Sequence, residues 1–304
     1  MGQNMSLVCG IVVSFNPDPL FFKSQLQPLI QQLDSLIVVD NGSVIQSDLQ
    51  NISSFISSSI VFIKLDHNLG LAAAQNIGIK ESFNLNATHI VLFDQDSLID
   101  PGFISGLLEA EAALLATSKC VAAVGPLFFD PSNSVVYPAS VYTGPFLKRV
   151  PLDMLNSEVE ATFVIASGCL IRMEVLDRIG LMNDQLFIDY IDVEWCLRAK
   201  CSGLKSYMTS RAKMAHTIGE NRLNFLGRTI SIHSPLRRYY LIRNSIFMLR
   251  QPYIPLGYKV REVVFNLLRF LIGLAFSKDR KKYLFFVVWG IRDGISGALG
   301  SCKH

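Results

Sequence analysis

Two carboxylates one residue apart, Asp94 and Asp96, end an apolar run in His89-Ile90-Val91-Leu92-Phe93-Asp94-Gln95-Asp96-Ser97. Paired hard oxygen ligands suit a divalent cation, and such a cation suits a phosphate-bearing substrate. The Asp-x-Asp pattern is also common on turns that bind nothing. A further carboxylate, Asp40, ends another apolar run in Val38-Val39-Asp40-Asn41-Gly42-Ser43. There it can accept hydrogen bonds from a base or ribose, or it can close an Asx-turn that reverses the chain. Three acids, Asp189, Asp192 and Glu194, crowd the stretch Phe187-Ile188-Asp189-Tyr190-Ile191-Asp192-Val193-Glu194-Trp195-Cys196-Leu197-Arg198. If Asp192 caps the helix that follows, it is both a stable cap and well placed as a general base. His216, in Met214-Ala215-His216-Thr217-Ile218-Gly219, stands alone, which favours a packing role. Beside a metal–diphosphate site it becomes a candidate ligand.

The surrounding sequence predicts the elements that would hold these groups. Apolar runs at residues 7–13, 36–39, 60–65, 90–93 and 121–124 read as strands. Helical segments alternate with them: one from the Asn16-Pro17-Asp18-Pro19 turn to about residue 33, one to about 58, one over 71–82, and one over 106–116 behind Pro101. This alternation predicts an α/β protein with a mixed, mostly parallel sheet flanked by helices. Asp40 and Asp94 then fall at the C-terminal edge of that sheet, where open α/β sheets hold ligands. In Asn68-Leu69-Gly70-Leu71-Ala72-Ala73-Ala74-Gln75-Asn76-Ile77-Gly78, Gly70 opens a helix of small side chains. That helix suits close backbone approach to a ligand, and close packing equally well. Residues 130–153 read as a hairpin or loop, 162–166 as a strand ended by Ser167-Gly168, and 192–202 as a helix stopped by Gly203.

The 304 residues are half hydrophobic, yet residues 263–276 are interrupted by Asn266 and Arg269, and residues 283–291 fall well short of a bilayer span. No basic-then-apolar leader opens the chain, and the myristoylation-like start Met1-Gly2-Gln3-Asn4-Met5-Ser6 is loose enough to arise by chance. Six cysteines without a C-x-x-C pair suggest reduced, mostly buried thiols. The net charge of +3 conceals an asymmetry: from Pro235 onward thirteen Lys/Arg face three acids, while the body before it is acidic. Bulky apolar residues such as Phe265, Leu268, Phe286 and Trp289 lie between those charges. That mixture favours a lipid interface over nucleic acid, with packing against the body or a second copy as the alternative. The expected division is 1–234 as the α/β domain and 235–304 as a basic amphipathic helical region.

Taken in order, Asp40, Asn68 to Gly78, Asp94/Asp96, Ser167-Gly168, Asp192 and His216 resemble the motifs of the inverting glycosyltransferases of family two, over about residues 7–220. The opening Val12-Val13-Ser14-Phe15-Asn16-Pro17-Asp18, with the two acidic motifs, looks most like the bacterial rhamnosyltransferase branch. The resemblance implies a GT-A fold and transfer of L-rhamnose from dTDP-L-rhamnose to a lipid-pyrophosphate-linked saccharide, in O-antigen or related surface-polysaccharide synthesis. It implies nucleotide-sugar contacts from Ser14, Asn16, Asp40, Asn68, Gly70, Asn76, Asp94, Gln95 and Asp96, and an acceptor side at Ser167, Gly168 and Trp195. It also implies Mg2+ or Mn2+ on Asp96, Asp94 and His216, Asp192 as base, and a peripheral position on the inner face of the bacterial cytoplasmic membrane. One departure stands out: many members carry Glu-Asp at the acidic helix start, whereas Ile191 precedes Asp192 here, which leaves Asp189 and Glu194 as alternative bases. The same fold serves UDP- or GDP-hexose transferases and polyprenyl-phosphate sugar synthases. A nucleotidyltransferase would need a glycine- and Arg/Lys-rich loop after the first strand, and Ser14 to Asp18 has none. A membrane scaffold without activity would not need these acids.

Overall fold

Continuous apolar runs become strands buried on both faces, as a helix-covered parallel sheet requires. The structure, a computed structural model, describes residues 6–130, 135–153, 157–215, 222–225, 228–231, 234–277 and 279–304. Four parallel strands, β1 (Val8–Ser14), β2 (Ser35–Asp40), β3 (Val61–Lys64) and β4 (His89–Asp94), alternate with α1 (Pro19–Ile30), α2 (Gln46–Ile56) and α3 (Leu71–Asn84). The short β5 (Leu98–Ile99) leads into α4 (Phe103–Ala116) and the long β6 (Val121–Phe129). Next come β7 (Val136–Tyr137), the hairpin β8 (Ala139–Thr143) and β9 (Phe146–Val150), β10 (Glu158–Ala161) and β11 (Cys169–Arg172). Helices α5 (Met173–Ile179) and α6 (Ile191–Cys201) precede β12 (Lys205–Ala215) and the hairpin β13 (Arg222–Phe225) and β14 (Arg228–Ser231). Three helices close the chain: α7 (Pro235–Arg250), α8 (Leu256–Phe276) and α9 (Arg280–Ser296).

The main sheet runs β3-β2-β1-β4-β11-β6-β12-β10, with β11 antiparallel to both its neighbours. Its register aligns Ser14 with Asp40 and Val13 with Asp94, so both carboxylates reach one edge with β1 between them. Ile90, Val91, Leu92 and Phe93 are all buried, and α1 covers one face through Phe22, Leu26 and Leu29. Helix α3 lies so close to the sheet that a Cβ on Gly78 would sit 2.4 Å from Ile11 Cγ2. Its small residues therefore serve close packing.

Three expectations need correction. Residues 162–166 are not a strand; the paired segment is β10, whose Glu158 and Glu160 alternate outward to meet Arg211 and Lys205 on β12. Polar alternation at a sheet edge hid it, while the apolar 162–166 packs without a ladder, Val164 lying against Gly125. Tyr190, and not Asp192, is the N-cap of α6; Asp192 sits in the first turn. Half of the cysteines, Cys9, Cys169 and Cys196, are buried, while Cys120 and Cys201 are exposed, so the thiols are less hidden than their apolar neighbours suggest.

Among the described residues no helix is long and apolar enough to cross a membrane. Helix α7 packs along α9, and α8 carries a stripe of half-exposed Val260, Val263, Val264, Leu267, Leu268 and Leu271. The spacing of that stripe follows the helical repeat, so the residues share one face.

Candidate active site

At the β1/β2 edge the polar side chains are knitted into a floor. Asp40 is fully buried and accepts from Ser14 Oγ (3.1 Å), Ser43 Oγ (2.5 Å) and the Ser43 amide (3.0 Å). These are the contacts of a carboxylate that closes a turn, the second of its two sequence readings. Asn16, at φ 47°, links this turn to the end of β1: its amide donates to Ser43 Oγ and its Oδ1 accepts from the Val44 amide. Asn68 Oδ1 accepts from Asn41 and from the Gly70 amide, which sets the entry to α3. Gly70 has φ 93°, and a Cβ there would lie 2.8 Å from the Phe187 carbonyl oxygen. The first amide of α3, on Leu71, donates to that carbonyl at 2.6 Å. This helix start therefore faces the acidic segment and commits its first N–H to it.

The Asp94–Asp96 turn is braced from three sides. Gln95 Oε1 accepts from the Phe15 amide, Gln25 donates to the Asp94 carbonyl, and the Asp94 amide donates to Ser167 Oγ. Ser167 is buried and bonds to Ser97 at 2.6 Å. Gly168, at φ 73°, is hemmed in by Pro126, Phe103 and Met214. Ser167 and Gly168 thus support the turn from beneath. Burial, then the charge of Asp96, push the Asp94 carboxyl up to about 7, opposed by Arg237. Asp96 itself is exposed. Repulsion between two oxygen donors at one turn is what a divalent cation relieves, so the donor set fits such an ion. No group of three or more His, Cys, Asp or Glu side chains is arranged to hold a metal ion among the described residues, and His216 lies outside them.

The three acids near α6 separate by their partners. Asp189 is held bidentately by Arg237, at 2.9 and 3.2 Å. Glu194 is buried in an ion pair with Arg198 and accepts from Tyr253 Oη at 2.6 Å. Asp192 has no cationic partner among the described residues; its Oδ1 accepts the Val193 amide at 2.8 Å. Burial pushes Asp192 up to about 6, against the pull of that amide, with Asp94 and Asp189 adding to the rise. Asp94 and Asp192 therefore lie close enough to repel one another. Trp195 and Asn76 do not join it. Trp195 is buried with its indole N–H on the Gly180 carbonyl, and Asn76 bridges to Met182 by two hydrogen bonds.

The turn leading to Asp192 is strained. Phe187, Asp189 and Tyr190 all have φ near +65°, and the Ile188 amide bonds back to the Leu186 carbonyl, making a γ-turn of the rare hand about Phe187. Such residues cost on the order of 1–3 kcal/mol each and persist where their surroundings over-determine them. The surroundings are C-terminal side chains outside every motif singled out in the sequence: Arg237, Arg243, Asn244 and Glu262. The available signal was the polar pair Arg243-Asn244 between the apolar stretches 239–242 and 246–249 of α7, both fully buried.

A sequence model of the family described as Glycosyl transferase family 2 matches residues 11–180. The dTDP-rhamnosyl transferase RfbF of Shigella flexneri is 32% identical, over 98% of this chain and 99% of that one. The galactofuranosyltransferase GlfT1 of Mycolicibacterium smegmatis is 26% identical over 81% and 84%. Among solved structures, GalNAc-T7 with UDP, GalNAc and Mn2+ superposes with a TM-score of 0.62 at 12% identity, covering 98% of this chain and 57% of that one. S. aureus TarS 1-349 in complex with UDP-GlcNAc gives 0.58 at 14%, covering 96% and 81%. Both structural likenesses speak to the fold.

Proposed function

Because the chain belongs to glycosyl transferase family 2 and is a glycosyltransferase, we propose that it transfers L-rhamnose from dTDP-L-rhamnose, with inversion, to a lipid-linked saccharide acceptor in bacterial surface-polysaccharide synthesis. The observation that carries the donor assignment is the end-to-end likeness to a dTDP-rhamnosyl transferase. Asp192 is the general base: it takes the proton of the acceptor hydroxyl as that oxygen attacks the anomeric carbon from the face opposite the nucleotide. One displacement assisted by one base inverts the centre. Asp189 and Glu194 are both spoken for by arginines, which supports Asp192 in this role. Asp96 and Asp94 would hold Mg2+ or Mn2+, which supplies positive charge to the departing diphosphate. Asp40, Asn16 and Asn68 hold the nucleoside-facing loops in place, and Ser167 fixes the Asp94 amide.

Calorimetric titration with dTDP-L-rhamnose, UDP-hexoses and GDP-mannose, each with Mg2+ or Mn2+, tests the donor. Tight binding confined to the dTDP-sugar is expected, and a preference for a UDP- or GDP-sugar would replace the assignment.

The acceptor places the enzyme at a membrane. The half-exposed stripe of α8 and the basic Lys259, Arg269, Arg280, Lys281 and Lys282 nearby support a peripheral seat on anionic lipid at the cytoplasmic face. The variant Leu267→Glu/Leu271→Glu should lose co-flotation with phosphatidylglycerol vesicles while keeping donor affinity. Unchanged flotation sinks the membrane seat; a change in oligomeric state instead would assign the stripe to a second copy.

A further inference from the structure

We propose that α7 is a clamp that holds the turn before Asp192 in its strained form, with Asn244 as the positioning residue through which it acts. The proposal rests on the assignment of Asp192 as the base. In this left-handed turn the Phe187 carbonyl accepts from the Leu71 amide and the Tyr190 carbonyl from the Glu194 amide, while those of Ile188 and Asp189 meet no backbone N–H among the described residues. Buried carbonyls need donors, and α7 supplies them. Asn244 Nδ2 donates to the carbonyls of Leu186 (3.0 Å), Ile188 (2.8 Å) and Asp189 (3.1 Å). Arg243 Nη2 adds a second donor to the Leu186 carbonyl at 2.9 Å, and its Nε fixes Asn244 Oδ1 at 3.0 Å, which settles which end of the amide faces the turn.

The side chains of the turn are held by the same helix and its neighbour. The Phe187 ring stacks on Tyr240, centroids 5.1 Å apart and nearly parallel, and the Arg243 guanidinium covers the Tyr240 ring. Arg237 grips Asp189, and Tyr190 Oη donates to the buried Glu262 of α8 at 2.5 Å. These contacts act on the turn and not on Asp192 itself. They fix the four residues that aim the first turn of α6, and with it the carboxylate. A base must lie within hydrogen-bond reach of the proton it removes, and a misplacement of about 1 Å can cost on the order of a hundredfold.

The test uses the full chain. Asn244→Ala should lower kcat by roughly ten- to a hundredfold with the dTDP-sugar Kd unchanged by calorimetry. In an Asp192→Asn background the same substitution should have no further effect, since the group it positions is gone. An unchanged kcat in Asn244→Ala, or an equal fold loss in both backgrounds, overturns the clamp. Near-full turnover in Asp192→Asn alone removes the base assignment, and the clamp with it. Should Asn244→Ala fail to fold, Tyr190→Phe removes only the hydroxyl that pins the turn to Glu262. It should show the same kcat-only loss at smaller amplitude, again cancelled by Asp192→Asn, and a wild-type kcat there overturns the proposal.

Discussion

Asp192→Asn is expected to lower turnover by roughly a hundred- to ten-thousand-fold, the usual contribution of a positioned general base, while the donor binds as before. The amide can still accept the Val193 N–H that Asp192 Oδ1 now takes, so the loop keeps its shape and the loss falls on kcat. The wild-type pH profile carries a second signature. Burial, with Asp94 and Asp189 nearby, holds the carboxyl at about 6, and only the deprotonated form can take a proton. Activity should therefore be flat above that value and fall as pH drops through it, about two units before an ordinary aspartate would be lost. A cation held by Asp94, as proposed, would remove part of the repulsion, so with saturating metal the limb should move to lower pH and not to higher. Steady-state rates from about pH 4.5 to 8, bracketing both the raised and the ordinary value, measure this. Near-full turnover in the Asn variant, or a limb that survives in it, would overturn the role.

Asp96→Asn carries the next largest effect. Its carboxylate is exposed and makes no hydrogen bond or ion pair among the described residues, so the folded protein should hardly notice the change, within about 0.5 kcal/mol. Function should notice strongly. On the proposed assignment one oxygen ligand would be weakened and charge on the departing diphosphate less well compensated, for an expected loss on the order of a hundred- to a thousand-fold. The response to added Mg2+ or Mn2+ should shift to higher concentration at the same time. Thermal melting paired with transfer assays across a metal titration checks both halves. A variant with wild-type rate and an unmoved metal response removes Asp96 from the site. Asp94 offers a poorer test, because it is partly buried in a turn braced by Gln25, Gln95 and Ser167 and its replacement can act through packing.

The sheet edge was legible because its signals are local. An apolar run such as Leu36 to Val39 that stops at an acid defines both a strand and its end; in the register, Asp40 and Asp94 then fall where the residues predicted them. What the residues could not convey is how far each acid is committed elsewhere. Asp189 and Glu194 look as available as Asp192 in sequence, and only their partners, Arg237, Arg198 and Tyr253, separate them. The turn at Phe187 to Tyr190 was equally hidden. Left-handed backbone is signalled by glycine or asparagine, and here it falls on Phe, Asp and Tyr, whose conformations are imposed by tertiary contacts. Burial of Asn76 and Trp195 was likewise invisible, since a polar or aromatic residue near a motif reads the same whether it faces a ligand or the core.

The dependence of the turn on Asn244 also orders events in time. The acids Asp94 and Asp192 are both synthesised well before α7, and the parallel half of the sheet can pair from neighbouring segments as they emerge. The carbonyls of Ile188 and Asp189 meet their donor only when residue 244 arrives, and Arg243 in turn closes on the carbonyl of Gly300. A nascent chain can therefore shape the loops around Asp40 and Asp94 early, while the turn before Asp192 gains its α7 contacts only after α7 and the segment reaching Gly300 have left the ribosome. On the proposed assignment, the growing polypeptide would until then carry a donor site without a working base.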